Sequence, residues 1–150
     1  TEIYTLSLHD ALPISCDLGK IYLFLLNEIE GEQITGYKDK DQILYAMAEK
    51  FPNARFVLTL GSDGAVYYDG KEKVFQDIFE VKAVDTTAAG DTFTGYFIAA
   101  VIEDRSVQEA LRMAAKASSI AVSRPGATPS IPAMDEVKGK LGMQDFNKTE

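Results

Sequence analysis

The chain has one cysteine, one histidine and no tryptophan in 150 residues. A lone Cys16 cannot close an internal disulfide, and with a single His9 no Cys/His metal site can be assembled. Positive charge is also scarce: the net charge is −8, and no stripe of Lys or Arg marks a nucleic-acid face. An anion that binds here must be drawn by local backbone dipoles against an unfavourable overall field. No apolar run is long enough to cross a bilayer; "IYLFLL", residues 21–26, is the size of a buried strand. Asn147 opens a triplet of glycosylation form, but with no export signal it reads as chance. These absences point to a cytoplasmic chain with no membrane or nucleic-acid partner. An apolar content of 46% is enough for one ordinary core.

Periodicity supplies the elements. The continuous apolarity of Ile21 to Leu26 predicts a strand covered on both faces, as in a parallel sheet. "EIEGEQITG" reads as a short helix ending near Gly36. "DKDQILYAMAEKF" reads as a second, with Ile43, Leu44, Met47 and Phe51 on one side and Asp39 or Asp41 as cap. "RFVLTLG" is another buried strand, Asp69-Gly70 signals a hairpin, and "KVFQDIFEVKAV" supplies one or two further strands. From Ala88 to Ile102 the residues are apolar almost all round, which predicts a buried helix. "SVQEALRMAAKASSIAV" is a second long helix with Val107, Ala110, Leu111, Ala114, Ser118 and Ala121 inward. A structured loop, "SRPGATPSIP", and a last short helix, "AMDEVKGKL", follow. Strands alternating with helices define an α/β layer architecture.

The string "DTTAAGD", residues 85–91, joins strand to helix with minimal side chains. Backbone N–H groups unpaired at a helix start, together with the macrodipole, suit an anion. Gly90 allows close approach, and Asp91 then lies beside the place a phosphate would occupy. A carboxylate there suits a base that takes a proton from a hydroxyl attacking that phosphate. The competing reading is capping, with Thr87 or Asp85 as N-cap and Asp91 merely favourable in the first turn.

"DTTAAGDTFTG" resembles the C-terminal signature of the ribokinase-like sugar kinases, the PfkB carbohydrate kinase family. "NEIE" resembles that family's N-x-x-E motif, at Asn27 and Glu30, and "TLGSDG" its nucleotide-phosphate loop, at Thr59, Gly61 and Gly64. "AVSRPGATPSIP" resembles the family loop that encloses a monovalent cation. The matches run in family order from about residue 20 to 137; Tyr96 departs from them, standing where the family usually has a small residue.

The resemblance implies a ribokinase-like layered fold, with a central, mainly parallel sheet flanked by helices. It implies ATP-dependent phosphorylation of a small sugar, with Asp91 as catalytic base and the N–H groups of Ala88, Ala89 and Gly90 as anion hole. Asn27 and Glu30 are implied to organise Mg²⁺ and its waters; without the family, Glu30 reads as a solvated helix face. Thr59, Gly61 and Gly64 are implied to touch nucleotide phosphates, where the plain alternative is a hairpin. Potassium is implied at Asp85, Thr87, Ala121, Arg124, Gly126 and Ser130, mostly through carbonyls, where the alternative is an ordinary Pro/Gly loop. Residues 114–118 are placed at the border of an adenine pocket.

Family members are about twice this length. The resemblance therefore implies a C-terminal part, truncated at the N-terminus, inactive by itself and with an exposed sheet edge near Ile21 to Leu26. The full-length form is expected to be a homodimer. A non-catalytic nucleotide-binding module or a nucleoside kinase of the same ancestry remain alternatives. Finally, "TEIYTLSLHDALPIS" resembles the translation of a common short-read sequencing adapter, codon by codon from Thr1 to Ile14. Residues 1–15 are accordingly expected to be non-native and to contribute nothing to the fold, and residues 16–150 to be the nucleotide-binding and catalytic part.

Overall fold

The structure, a computed structural model, describes residues 2–5 and 18–142. His9, Asp10, Cys16 and the Asn147 triplet lie outside them. The chain divides into two compact units, Thr1–Gln76 and Asp77–Glu150.

Among the described residues the first unit holds a five-stranded sheet in chain order: β1 (Glu2–Thr5), β2 (Ile21–Asn27), β3 (Arg55–Thr59), β4 (Ala65–Tyr68) and β5 (Lys73–Gln76). The pairs β1–β2 and β2–β3 are parallel, whereas β3–β4 and β4–β5 are antiparallel. The α/β class holds, but the sheet is mixed rather than mainly parallel. Connection length is the reason. Parallel neighbours need a crossover of a dozen residues or more, and α1 (Glu28–Thr35) with α2 (Lys40–Lys50) provides one between β2 and β3. The short links after β3 and β4 can only turn the chain back.

Caps define both helices. Asn27 and Glu30 form a reciprocal capping box at the start of α1, and Gly36 ends it in the left-handed conformation at φ 78°. Asp39, not Asp41, caps α2, its Oδ1 accepting the N–H groups of Asp41 and Gln42. In the β4–β5 turn Asp69 Oδ1 accepts from Lys71 and Glu72 at 2.9 and 2.7 Å. The core of this unit sets Ile43, Leu44, Met47 and Phe51 against Phe24, Leu26, Phe56 and Leu58. Leu23, Leu25 and Val57, which alternate with these strand residues, are buried as well, as continuous apolarity requires.

Strand β1 was not expected. Glu2–Thr5 pairs with β2 and occupies the edge that the sequence reading leaves open, so part of the adapter-like segment takes part in the sheet.

The second unit begins with residues 77–88, which form no strand, so "KVFQDIFEVKAV" supplies one strand and not two. There follow α3 (Ala89–Ile102), α4 (Val107–Val122), a single 3₁₀ turn (Thr128–Ser130) and α5 (Met134–Leu141). α3 packs along α4, whose buried Ala110, Ala114, Ala117 and Ala121 allow close approach. α3 is not buried all round as its composition suggested: Gly90, Asp91 and Gly95 are exposed, and Ile102 is 74% exposed.

Candidate functional site

In the second unit, the small-residue turn leads into α3 with Ala88 at the N-cap position and no side-chain cap. The capping reading of Thr87 and Asp85 therefore fails. Asp85 instead folds the turn on itself: its Oδ1 accepts the Thr87 hydroxyl at 2.6 Å and the Thr87 N–H at 2.9 Å. Its Oδ2 accepts the Gly126 N–H at 3.0 Å. The Thr87 hydroxyl first, and then the two N–H groups, hold the Asp85 carboxyl below its ordinary range.

Asp91 lies in the first turn of α3, exposed, beside an exposed Gly90. The N–H of Ala89 donates to the Thr86 carbonyl at 3.1 Å. Those of Ala88 and Gly90 have no acceptor among the described residues. A Cβ built on Gly90 meets nothing within 4 Å, and the buried Thr92 Oγ1 has no hydrogen-bond partner among the described residues. Sequence reasoning passed over Thr92. Its signal was a hydroxyl placed on the inward side of a helix directly after the aspartate. Ser118 ties α4 to this turn by donating to the Ala89 carbonyl at 3.1 Å. Of residues 114–118, Ala114 and Ala117 are fully buried, so only Ala115, Lys116 and Ser118 can border a pocket, and the Lys116 ammonium lies 4.6 Å from the Phe79 ring centroid.

The 123–133 loop packs on the same turn. Val84 and Asp85 donate their N–H groups to the Val122 carbonyl at 2.7 and 3.2 Å. Asp85, Thr87 and Gly126 are thus brought together, with Ala121 at the adjoining end of α4. The carbonyls of Arg124 and Gly126 accept no hydrogen bond among the described residues, whereas that of Ala121 takes the Arg124 N–H at 3.1 Å. Ser130 is buried and donates its hydroxyl to the Ala127 carbonyl at 2.6 Å. The Arg124 side chain pairs with Glu136 on α5, and this pairing holds the Glu136 carboxyl below its usual range. No group of three or more His, Cys, Asp or Glu among the described residues could hold a metal ion. One carboxylate, carbonyl oxygens and a hydroxyl form a donor set that fits a weakly held monovalent cation better than a caged divalent one.

In the first unit, Asn27 and Thr59 are register partners at the C-terminal ends of the parallel strands β2 and β3. That end of an open α/β sheet is where ligands bind. Asn27 Oδ1 accepts the Glu30 N–H and Glu30 Oε2 the Asn27 N–H, both at 2.9 Å, so the N-x-x-E pair has a structural duty that spacing alone did not disclose. Gly61 opens a 3₁₀ turn at φ 56° and Gly64 follows it at φ 92°, the loop closed by the Leu60 N–H on the Gly64 carbonyl at 2.9 Å. Positive φ at both positions explains the glycines.

The first unit thus carries a strand-end loop with two positive-φ glycines, and the second a small-residue helix start with an exposed carboxylate. Residues 9–134 match the model of the pfkB family of carbohydrate kinases, and the chain belongs to that family. It is 36% identical over 143 residues to a ribokinase of Schizosaccharomyces pombe, covering 89% of this chain and 45% of that protein. Identity to a Haemophilus influenzae ribokinase is 37% over 124 residues, covering 79% and 40% respectively. The structure of an Arabidopsis thaliana ribokinase complexed with ribose and ATP superposes with a TM-score of 0.75 at 35% identity, over 83% of this chain and 42% of that one. The chain thus spans less than half the length of these relatives.

Proposed function

We propose that this chain carries the nucleotide-binding and proton-abstracting part of an ATP-dependent kinase acting on a hydroxyl of a small sugar. Asp91 is the observation that carries the reading: an exposed carboxylate with no capping duty, on a helix start whose Ala88 and Gly90 N–H groups have no acceptors among the described residues. Asp91 takes the proton from the sugar hydroxyl as its oxygen bonds to the γ-phosphorus and the bond to the ADP oxygen breaks. The N–H groups of Ala88 and Gly90 hold the equatorial oxygens of the transferring group, and Ala89, whose N–H is committed to Thr86, shapes the turn. Thr59, Gly61 and Gly64 contact nucleotide phosphates. Asn27 and Glu30 orient Mg²⁺ through its waters, and the ion when bound neutralises phosphate charge. Asp85, Thr87, Ala121, Arg124, Gly126 and Ser130 surround K⁺. The relative complexed with ribose and ATP supports a ribose-class sugar and ATP as partners.

Because the chain covers less than half of its relatives, the 150-residue form is proposed to bind nucleotide and to turn over sugar negligibly. A cytoplasmic location is proposed; among the described residues no helix is long and apolar enough to cross a membrane. A homodimer is proposed for the whole protein.

Gly90→Ala tests the phosphate site. The new methyl meets no protein atom within 4 Å, and alanine is the better helix former by about 1 kcal/mol, so stability should hold or rise. If a phosphate lies against Gly90, ATP affinity measured by calorimetry should fall at least about tenfold, roughly 1.4 kcal/mol. Unchanged affinity would remove the phosphate from this turn.

A further inference from the structure

We infer that Tyr96 is a positioning residue, tying the 123–133 loop to the helix that carries Asp91 so that a monovalent cation in the loop acts on the start of α3. The inference rests on the cation reading proposed above. Tyr96 stands little more than one helical turn beyond Asp91. Its hydroxyl donates to the Pro132 carbonyl at 2.6 Å, a buried bond spanning 36 positions of sequence. A phenol hydroxyl buried without a partner is costly, so the side chain specifies where Pro132 must lie. Asp85 grips the other end of the loop through the Gly126 N–H.

The loop is therefore bonded at both ends to one continuous stretch, residues 85–96, and Asp91 lies between the attachment points. Its interior is closed as well. Both the N–H and the hydroxyl of Ser130 donate to the Ala127 carbonyl, at 3.1 and 2.6 Å, and the Ile131 N–H donates to the Thr128 carbonyl at 3.2 Å. A displacement at the Gly126 or Ser130 end is passed on rather than absorbed by slack. Burial raises the Tyr96 pKa, with Glu136 adding to it, so the hydroxyl stays a donor throughout the neutral range. A small residue at this position would leave the Pro132 end of the loop untied.

The test uses the 150-residue chain in KCl or choline chloride at constant ionic strength, read by amide hydrogen exchange and thermal melting. In the wild type, K⁺ should slow exchange at Gly126, Ser130 and Ile131. In Tyr96→Phe the KCl concentration for half-maximal protection should rise about three- to tenfold, the worth of one neutral hydrogen bond, and the cation-free melting temperature should fall as well, because the buried Pro132 carbonyl loses its donor. An unchanged KCl midpoint in Tyr96→Phe would overturn the role of Tyr96 and leave the cation reading standing. Identical wild-type exchange in KCl and choline chloride would sink the cation reading, and this inference with it. Should Tyr96→Phe fail to fold, 3-fluorotyrosine placed at position 96 keeps the hydroxyl. Its fluorine resonance should shift with the same KCl midpoint as the loop amides, and a resonance indifferent to KCl overturns the inference.

Discussion

Asp85 accepts the Gly126 N–H at 3.0 Å across 41 positions of sequence, and through its other oxygen serves Thr87 twice. This carboxylate is the staple between the turn before α3 and the loop after α4. Its three donors favour the charged form and place its folded pKa below the ordinary 3.8. A depressed folded pKa contributes stability that is complete above the unfolded value and is lost as pH falls through the folded one. Asp85→Asn has no such titration. The stability gap between wild type and Asp85→Asn should therefore be constant from about pH 7 to about pH 5 and shrink below about pH 4. Urea melts across that range check it, and a gap that is flat into acid would show that the staple does not depend on the charge.

The Asn27–Glu30 pair separates capping from metal organisation. Glutamine serves as well as glutamate at the third position of a capping box, so Glu30→Gln should leave stability within a few tenths of a kcal/mol. Asn27→Ala, which removes the cap itself, should cost about 1 kcal/mol. If Glu30 also orients Mg²⁺ waters, Glu30→Gln should weaken the Mg²⁺-dependent part of ATP binding by about tenfold or more. Calorimetry with and without Mg²⁺ decides it; equal Mg²⁺ dependence in both proteins would leave Glu30 as a cap alone.

How much of this was legible in the sequence follows the range of each interaction. The helices α1, α2 and α4 could be read because their signals are local, in Gly36 and Asp39 and in the periodic run from Val107 to Ala121. The strands β2 and β3 announced themselves through unbroken apolarity. The contacts that organise the candidate site are long-range, and no local pattern encodes them. Asp85 reads as a helix cap until Gly126 is known to face it. Tyr96 reads only as a departure from the family pattern until the Pro132 carbonyl is found at its hydroxyl. The exposure of Asp91 was misjudged for a related reason, since apolar composition in α3 does not say which side remains uncovered. The N-x-x-E pair erred in the opposite direction: it was read for chemistry, and its local capping role was missed.

Residues 1–15 pose a test of the sheet edge. Whatever the origin of the segment, Glu2–Thr5 pairs in parallel with β2. Deleting residues 1–15 should lower the melting temperature and, by uncovering the β2 edge, promote self-association. Melting followed by light scattering reads both. A deletion variant as stable and as monodisperse as the parent would return the segment to the status of an appendage.

Asp91→Asn tests the central chemical claim in a form of the protein that turns over sugar. Asparagine is nearly isosteric with aspartate, and Asp91 makes no capping bond, so folding should be untouched. Removing one negative charge near the phosphates should hold or tighten ATP binding. Turnover should fall by about two to four orders of magnitude, the usual worth of a positioned base. A carboxylate that merely favours the helix dipole would give a different pattern: stability would drop by about 0.3–1 kcal/mol and turnover would stay within a few-fold of wild type. ATP affinity, turnover and stability, measured side by side on the two proteins, therefore assign Asp91 to catalysis or to helix electrostatics.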